Sequence, residues 1–144
     1  MTRYLGIDFG TRRIGVAVSD ELGLTAQPLS SLEPSSEQEA LSILQELIDQ
    51  YGVLEVVVGL PKNMNGSLGP AAEEALAFAR RLEESVSVKV TMWDERLTSR
   101  AAERLLIEAD LSRAKRKRRV DQMAALLILQ GFLDRCHRQQ ERSS

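Results

Sequence analysis

A chain of 144 residues, 43% hydrophobic and 28% charged, suits one globular domain and excludes wholesale disorder. Its longest apolar run, Met123 to Leu129, is far too short to span a membrane. The single Cys136 and single His137 exclude an internal disulfide and a multi-histidine metal site within one chain. Charge is unevenly spread: residues 21–95 hold four basic against thirteen acidic side chains, residues 96–144 twelve against six, and fifteen of the nineteen basic residues are arginine, the side chain best shaped for forked phosphate contacts.

Tyr4 to Gly10 alternates, with Leu5, Ile7 and Phe9 on one side and Tyr4, Gly6 and Asp8 on the other, which predicts a strand. Gly10 to Arg13 reads as a tight turn, and Ile14, Val16 and Val18 alternate with Gly15, Ala17 and Ser19 in a second, hairpin-paired strand. A third extended piece falls between Leu24 and Leu32, with Pro28 marking it as an edge. Pro34-Ser35-Ser36 is a helix start; Leu41, Leu44, Leu47 and Ile48 carry the helix to about Gln50, and Gly52 stops it. Val53 to Gly59 predicts a buried strand, Pro61 to Pro70 a loop, Ala71 to Glu84 a helix, and Val86 to Trp93 a further strand ending at Asp94-Glu95-Arg96. Thr98 or Ser99 can cap a helix to about Ala109. Residues 113–119 form a basic stretch expected to be mobile in isolation, and Val120 to about Arg138 an apolar helix. The order βββ-α-β-α-β-α-α predicts an α/β fold: one mixed sheet with helices on both faces, whose ligands gather outside the carboxyl ends of the parallel strands. Residues 1–138 are expected to form one domain and 139–144 a polar tail.

Three acids fall where structure alone would not put them. Asp8 lies between Ile7 and Phe9 in the first strand, and a buried unpaired carboxylate costs several kcal/mol. Glu95 follows the last strand, and Asp121 opens the final helix on a stripe with Ala125, Ile128 and Phe132. Two readings are open. The three converge on one rim of the sheet and hold Mg²⁺ or Mn²⁺ through oxygen ligands, or they form separate ion pairs: Asp8 with Arg12 or Arg13, Glu95 with Arg96 or Arg100, Asp121 with Arg118 or a helix cap.

Gly6-Ile7-Asp8-Phe9-Gly10-Thr11-Arg12-Arg13-Ile14-Gly15-Val16-Ala17-Val18-Ser19-Asp20 resembles the opening motif of the YqgF/RuvX family. So do Val58-Gly59-Leu60-Pro61 with Asn65-Gly66, Trp93-Asp94-Glu95-Arg96-Leu97-Thr98-Ser99, and Asp121 followed by Ala124-Ala125 and Ile128-Leu129-Gln130. The resemblance covers residues 4 to 133. It implies a ribonuclease-H-like fold related to RuvC-type Holliday junction resolvases, and a nuclease acting in 5′-end maturation of pre-16S ribosomal RNA. It further implies that Asp8, Glu95 and Asp121 are the catalytic acids and metal ligands, for Mg²⁺ or Mn²⁺. Asp94, pointing to the opposite face by strand alternation, is read as structural or supporting.

Thr11, Arg13, Arg96, Lys115, Lys117 and Arg118 are the candidate phosphate contacts, each with a bland counterpart: a hairpin turn, an ion pair or a solvated face. Trp93 is read as core before stacking surface, and Cys136-His137 lacks a third member for nucleophilic catalysis. The expected partners are nucleic acid and ribosomal precursor particles, with no membrane, in the cytoplasm, as a monomer or homodimer. Cleavage of branched DNA is the alternative within the same chemistry, and a non-catalytic RNA-binding assembly factor the alternative outside it. Asp8-Phe9-Gly10-Thr11 also resembles the phosphate turn of actin-like ATPases, which need two such domains.

Overall fold

Alternating large and small residues on the strands decide what each face of the sheet can pack. The computed structural model describes residues 3–97 and 113–143, with side chains described at 3–96 and 123–138. Five strands, β1 (Arg3–Phe9), β2 (Ile14–Ser19), β3 (Ala26–Leu32), β4 (Val53–Leu60) and β5 (Lys89–Asp94), form one sheet in the order β3-β2-β1-β4-β5. The first three are antiparallel, and β1, β4 and β5 run parallel. Pro28 lies on β3, an edge strand, the position proline prefers in a sheet, and the register shifts between Val16 and Ala17 beside it.

Helices α1 (Glu37–Tyr51) and α2 (Pro70–Ser85) cover one face, and α3 (Arg113–Ser143) covers the other. The Ser36 side chain caps α1 by accepting from the Glu39 N–H at 3.1 Å, and Gly52 ends it in the left-handed region at φ 61°. Leu5, Ile7, Ile14, Val16, Val56 and Val58 pack there against Leu44, Ile48, Phe78 and Leu82. The opposite cluster is built from Ala17, Val57, Ala125, Ile128, Leu129 and Leu133, with Trp93 and Phe132 against it.

Three boundaries differ from the sequence expectation. The last strand starts at Lys89 instead of Val86, because the Val86 N–H still bonds to Leu82 O and closes α2. The basic stretch 113–119, expected to be mobile in isolation, is the first part of α3: no glycine or proline separates it from the apolar run, and Ala, Lys and Arg are good helix formers. The same helix runs on through the polar residues to Ser143. The expected helix at 98–109 lies outside the described residues.

Gln130 fixes the position of α3 lengthwise. Its side chain accepts from Ala26 N at 2.8 Å and donates to Leu24 O at 3.0 Å, while His137 Nε2 meets Gly23 O at 3.0 Å. The β2–β3 turn they grip is tied by Asp20 Oδ1, which accepts from Leu24 N and Thr25 N; these backbone bonds hold the Asp20 carboxyl below its ordinary pKa. That turn lies at the amino end of β1, so the amino-terminal half of α3 runs toward the carboxyl ends of β1, β4 and β5.

Candidate active site

Asp8 is the next-to-last residue of β1, and Glu95 the first residue after β5. Their strands are not neighbours: β4 lies between them, so their backbones are roughly 10 Å apart at ordinary strand spacing. Alternation sends Asp8 to the same face as Gly6, which is the α3 face, and Glu95, which opens a 3₁₀ turn after β5, lies against Gly59 on that same face. The two carboxyls nevertheless share a hydrogen bond, reached across β4 at Gly59. A Cβ on Gly59 would sit 2.8 Å from Glu95 Cδ and 2.4 Å from Ile128 Cδ1, so only glycine leaves space there for the acid and the helix together.

Burial pushes the Glu95 carboxyl above its ordinary pKa; the hydrogen bond to Asp8 works against that rise, and the charge of Asp94 adds to it. A cation held between them offsets the repulsion of two carboxylates that close. Oxygen donors of this kind fit Mg²⁺ or Mn²⁺. Among the described residues no three acid, cysteine or histidine side chains converge on one point. The third expected ligand, Asp121, is one helical turn before Ala125 on α3, toward the carboxyl ends of the strands, and its side chain lies outside the described residues.

Asp94 faces away from this pair. Arg96 grips both of its carboxylate oxygens, with Nε at 2.9 Å and Nη2 at 2.7 Å from Oδ2, and the Arg96 N–H donates to Oδ1 at 3.0 Å. The guanidinium hydrogen bonds hold the Asp94 carboxyl below its usual pKa. Arg96 Nη1 also reaches Met64 O at 3.4 Å, joining the 61–69 loop to the end of β5. That loop is braced from within: Ser67 Oγ donates to Asn65 Oδ1 at 2.6 Å, Asn63 Nδ2 donates to Ser67 Oγ at 3.0 Å, and Gly66 takes φ 86°.

A family profile described as "RuvX: Holliday junction resolvase" matches residues 2–135. The chain belongs to the RuvX family. Proteins named "Putative pre-16S rRNA nuclease" from Bacillus cereus strain AH187 and Bacillus anthracis strain CDC 684 / NRRL 3495 are 55% and 54% identical to it, each alignment covering 92% of this chain and 98% of the relative. Among solved structures, Thermus thermophilus RuvC in complex with a Holliday junction substrate superposes with TM-score 0.59 at 18% identity, covering 94% of this chain and 96% of the other. The fowlpox virus Holliday junction resolvase superposes with TM-score 0.57 at 13% identity, covering 94% and 99%. This RuvX-family chain therefore has the ribonuclease-H-like fold of resolvases that the motifs implied.

The structure brings some expected residues together and separates others. Thr11 is exposed in the turn after β1, where a Cβ on Gly10 would meet Arg13 O at 2.7 Å. Among the described residues Arg13 pairs with Glu33 at 3.1 Å and Arg96 with Asp94 at 2.7 Å. The side chains of Lys115, Lys117 and Arg118 lie outside the described residues. Trp93 packs edge-on against Phe132 and close to Gly131, a core role. Gly59 was missed as a site residue, although a glycine inside an otherwise apolar buried strand is the signal of a close approach.

Proposed function

We propose that this RuvX-family nuclease is divalent-metal-dependent and trims the 5′ end of pre-16S ribosomal RNA in the cytoplasm, with Asp8, Glu95 and Asp121 as its acids. The observation that carries the reading is the carboxyl pair of Asp8 and Glu95, held in contact over Gly59 at the carboxyl ends of parallel strands. The names of the Bacillus relatives support the RNA substrate.

When bound, Mg²⁺ or Mn²⁺ supplies Lewis acidity that polarises the phosphodiester and acidifies an attacking water. Asp8 and Glu95 would hold it, and Asp121 would complete the set. Gly59 keeps the space between the acids free of side chain, so their spacing is set before substrate arrives. The Arg96–Asp94 pair holds the first residue of the turn that carries Glu95 and ties it to the 61–69 loop. Thr11, Arg13 and the basic start of α3, with Lys115, Lys117 and Arg118, supply phosphate contacts whose affinity falls with salt.

The test is cleavage of a pre-16S precursor fragment, single-stranded RNA and a four-way DNA junction with Mg²⁺, Mn²⁺ or chelator, beside Asp8→Asn. The expected result is metal-dependent cutting of the precursor, reduced at least ~10³-fold in the variant, because acids that position a metal act as a unit. Preferred cutting of the junction would favour branched DNA, which the family's description supports and which calls for two coordinated cuts by a two-fold dimer. Tight RNA binding without cutting any substrate would overturn the nuclease reading in favour of an assembly factor.

A further inference from the structure

On the face opposite the acids, a cavity of about 360 Å³ opens between the turn after β1, the start of α1 and the middle of α2. Its volume is at the small end of ligand sites, which run from roughly 300 to 1,000 Å³. The walls are apolar, with Phe9, Ile14 and Ala77 among them, and polar groups of Ser35, Glu37, Glu74 and Arg81 stand among these. Phe9 and Phe78 are stacked, with centroids 4.5 Å apart and planes 17° from parallel. Arg81 is paired with Glu37.

This lining selects against a phosphate. Among the described residues, two carboxylates against one guanidinium leave the cavity net negative, and that guanidinium is already engaged. An uncharged flat heteroaromatic ring fits instead. It would gain aromatic and aliphatic contact from the walls, while carboxylate, hydroxyl and guanidinium groups match the mixed donors and acceptors of a base edge. Position supplies the occupant: Phe9 follows Asp8 directly in β1, so the cavity wall and the catalytic carboxylate are on opposite faces of one strand end, with Cα atoms about 3.8 Å apart.

We propose that this cavity receives one unpaired base of the nucleic acid whose backbone passes over the end of β1 to Asp8. The proposal rests on the nuclease reading for the identity of the strand. Duplex cannot offer a base to it without unstacking, so the pocket selects single-stranded or splayed segments. In this chain β1 thus serves chemistry through Asp8 and recognition through Phe9.

The experiment uses single-stranded oligoribonucleotides carrying one 2-aminopurine, moved position by position along the strand. Each is titrated with the whole protein at low salt in chelator, where nothing is cut. Fluorescence reports stacking of that base, and anisotropy of an end label reports total binding. One position is expected to be quenched on binding. Ala77→Met, which fills the cavity, is expected to abolish that quench and weaken binding about 10-fold, the scale of losing one base–aromatic stack. Phe9→Leu, which removes the aromatic wall without changing charge, is expected to reduce the quench and weaken binding about 3-fold with the salt dependence unchanged. No quenched position in the parent protein would overturn the proposal, as would a quench that survives both variants. Cutting in Mg²⁺ without any quench would overturn the pocket alone; a quench lost in the variants, in a protein that cuts nothing, would overturn the nuclease reading and keep the pocket.

Discussion

The two faces of the sheet are built on opposite principles. Against α1 and α2 the strands present Leu5, Ile7, Ile14, Val16, Val56 and Val58, bulky branched side chains that hold the helices away and fill the gap. Against α3 the same strands present Gly6, Ala17, Val57 and Gly59, and the helix comes down close to the backbone. A Cβ on Gly6 would be 2.7 Å from Leu129 Cβ. The first face stores stability. The second has been emptied of volume where Asp8 and Glu95 must meet, so the acids sit on backbone instead of on side chains.

The contrast is broken most severely by Glu95→Gln. Cleavage is expected to fall at least ~10³-fold in a turnover assay, while the thermal midpoint at pH 7 holds or rises, because a half-buried carboxylate whose charge disfavours folding has been removed. Leu44→Ala on the other face, away from the cavity, should do the reverse, costing about 2–5 kcal/mol of unfolding free energy in urea melts with a modest change in turnover per folded molecule. If both variants lose stability equally, the division of labour fails.

Gly59→Ala sharpens the comparison, because it adds one methyl on the emptied face. The displaced Glu95 carboxyl is expected to cost about 100-fold in kcat, the scale for a misplacement of roughly 1 Å. The same substitution at Ala79, inverted to glycine on α2, should cost only stability, about 1 kcal/mol.

The smallest effect is the pH dependence. Glu95 has a folded-state pKa above its unfolded one, so the folded protein binds that proton more tightly. Its contribution to stability is therefore full below the unfolded carboxylate range and is lost as pH rises through the raised value. Urea midpoints measured from pH 4 upward should fall less with pH in Glu95→Gln than in the parent, and added Mg²⁺ should restore the parent's midpoint at pH 7 without moving the variant's.

Much of this was legible in the chain. Alternation in residues 4–18 assigned both faces of β1 and β2 correctly, because a period of two leaves no choice once one face is buried. The α2 stripe of Ala75, Phe78, Ala79 and Leu82 is buried as its spacing requires. Alternation also set Asp94 apart from Glu95, and the Arg96 clamp on Asp94 follows from it. The start of α3 was not legible, because the basic residues of 113–119 carry no apolar periodicity and their helical propensity is realised only as an extension of the packed run behind them.

The sequence by itself determined the strands and helices, the faces they bury, and which acids stand where packing would not place them, since periodicity and the cost of a buried charge are local properties of the chain. Only the tertiary structure decided that β4 passes between β1 and β5. That strand order makes Gly59, fifty-one residues after Asp8 and thirty-six before Glu95, the position where the two carboxyls meet. Contact across an intervening strand depends on sheet order and on an absent side chain, and neither leaves a mark in the spacing of the acids themselves.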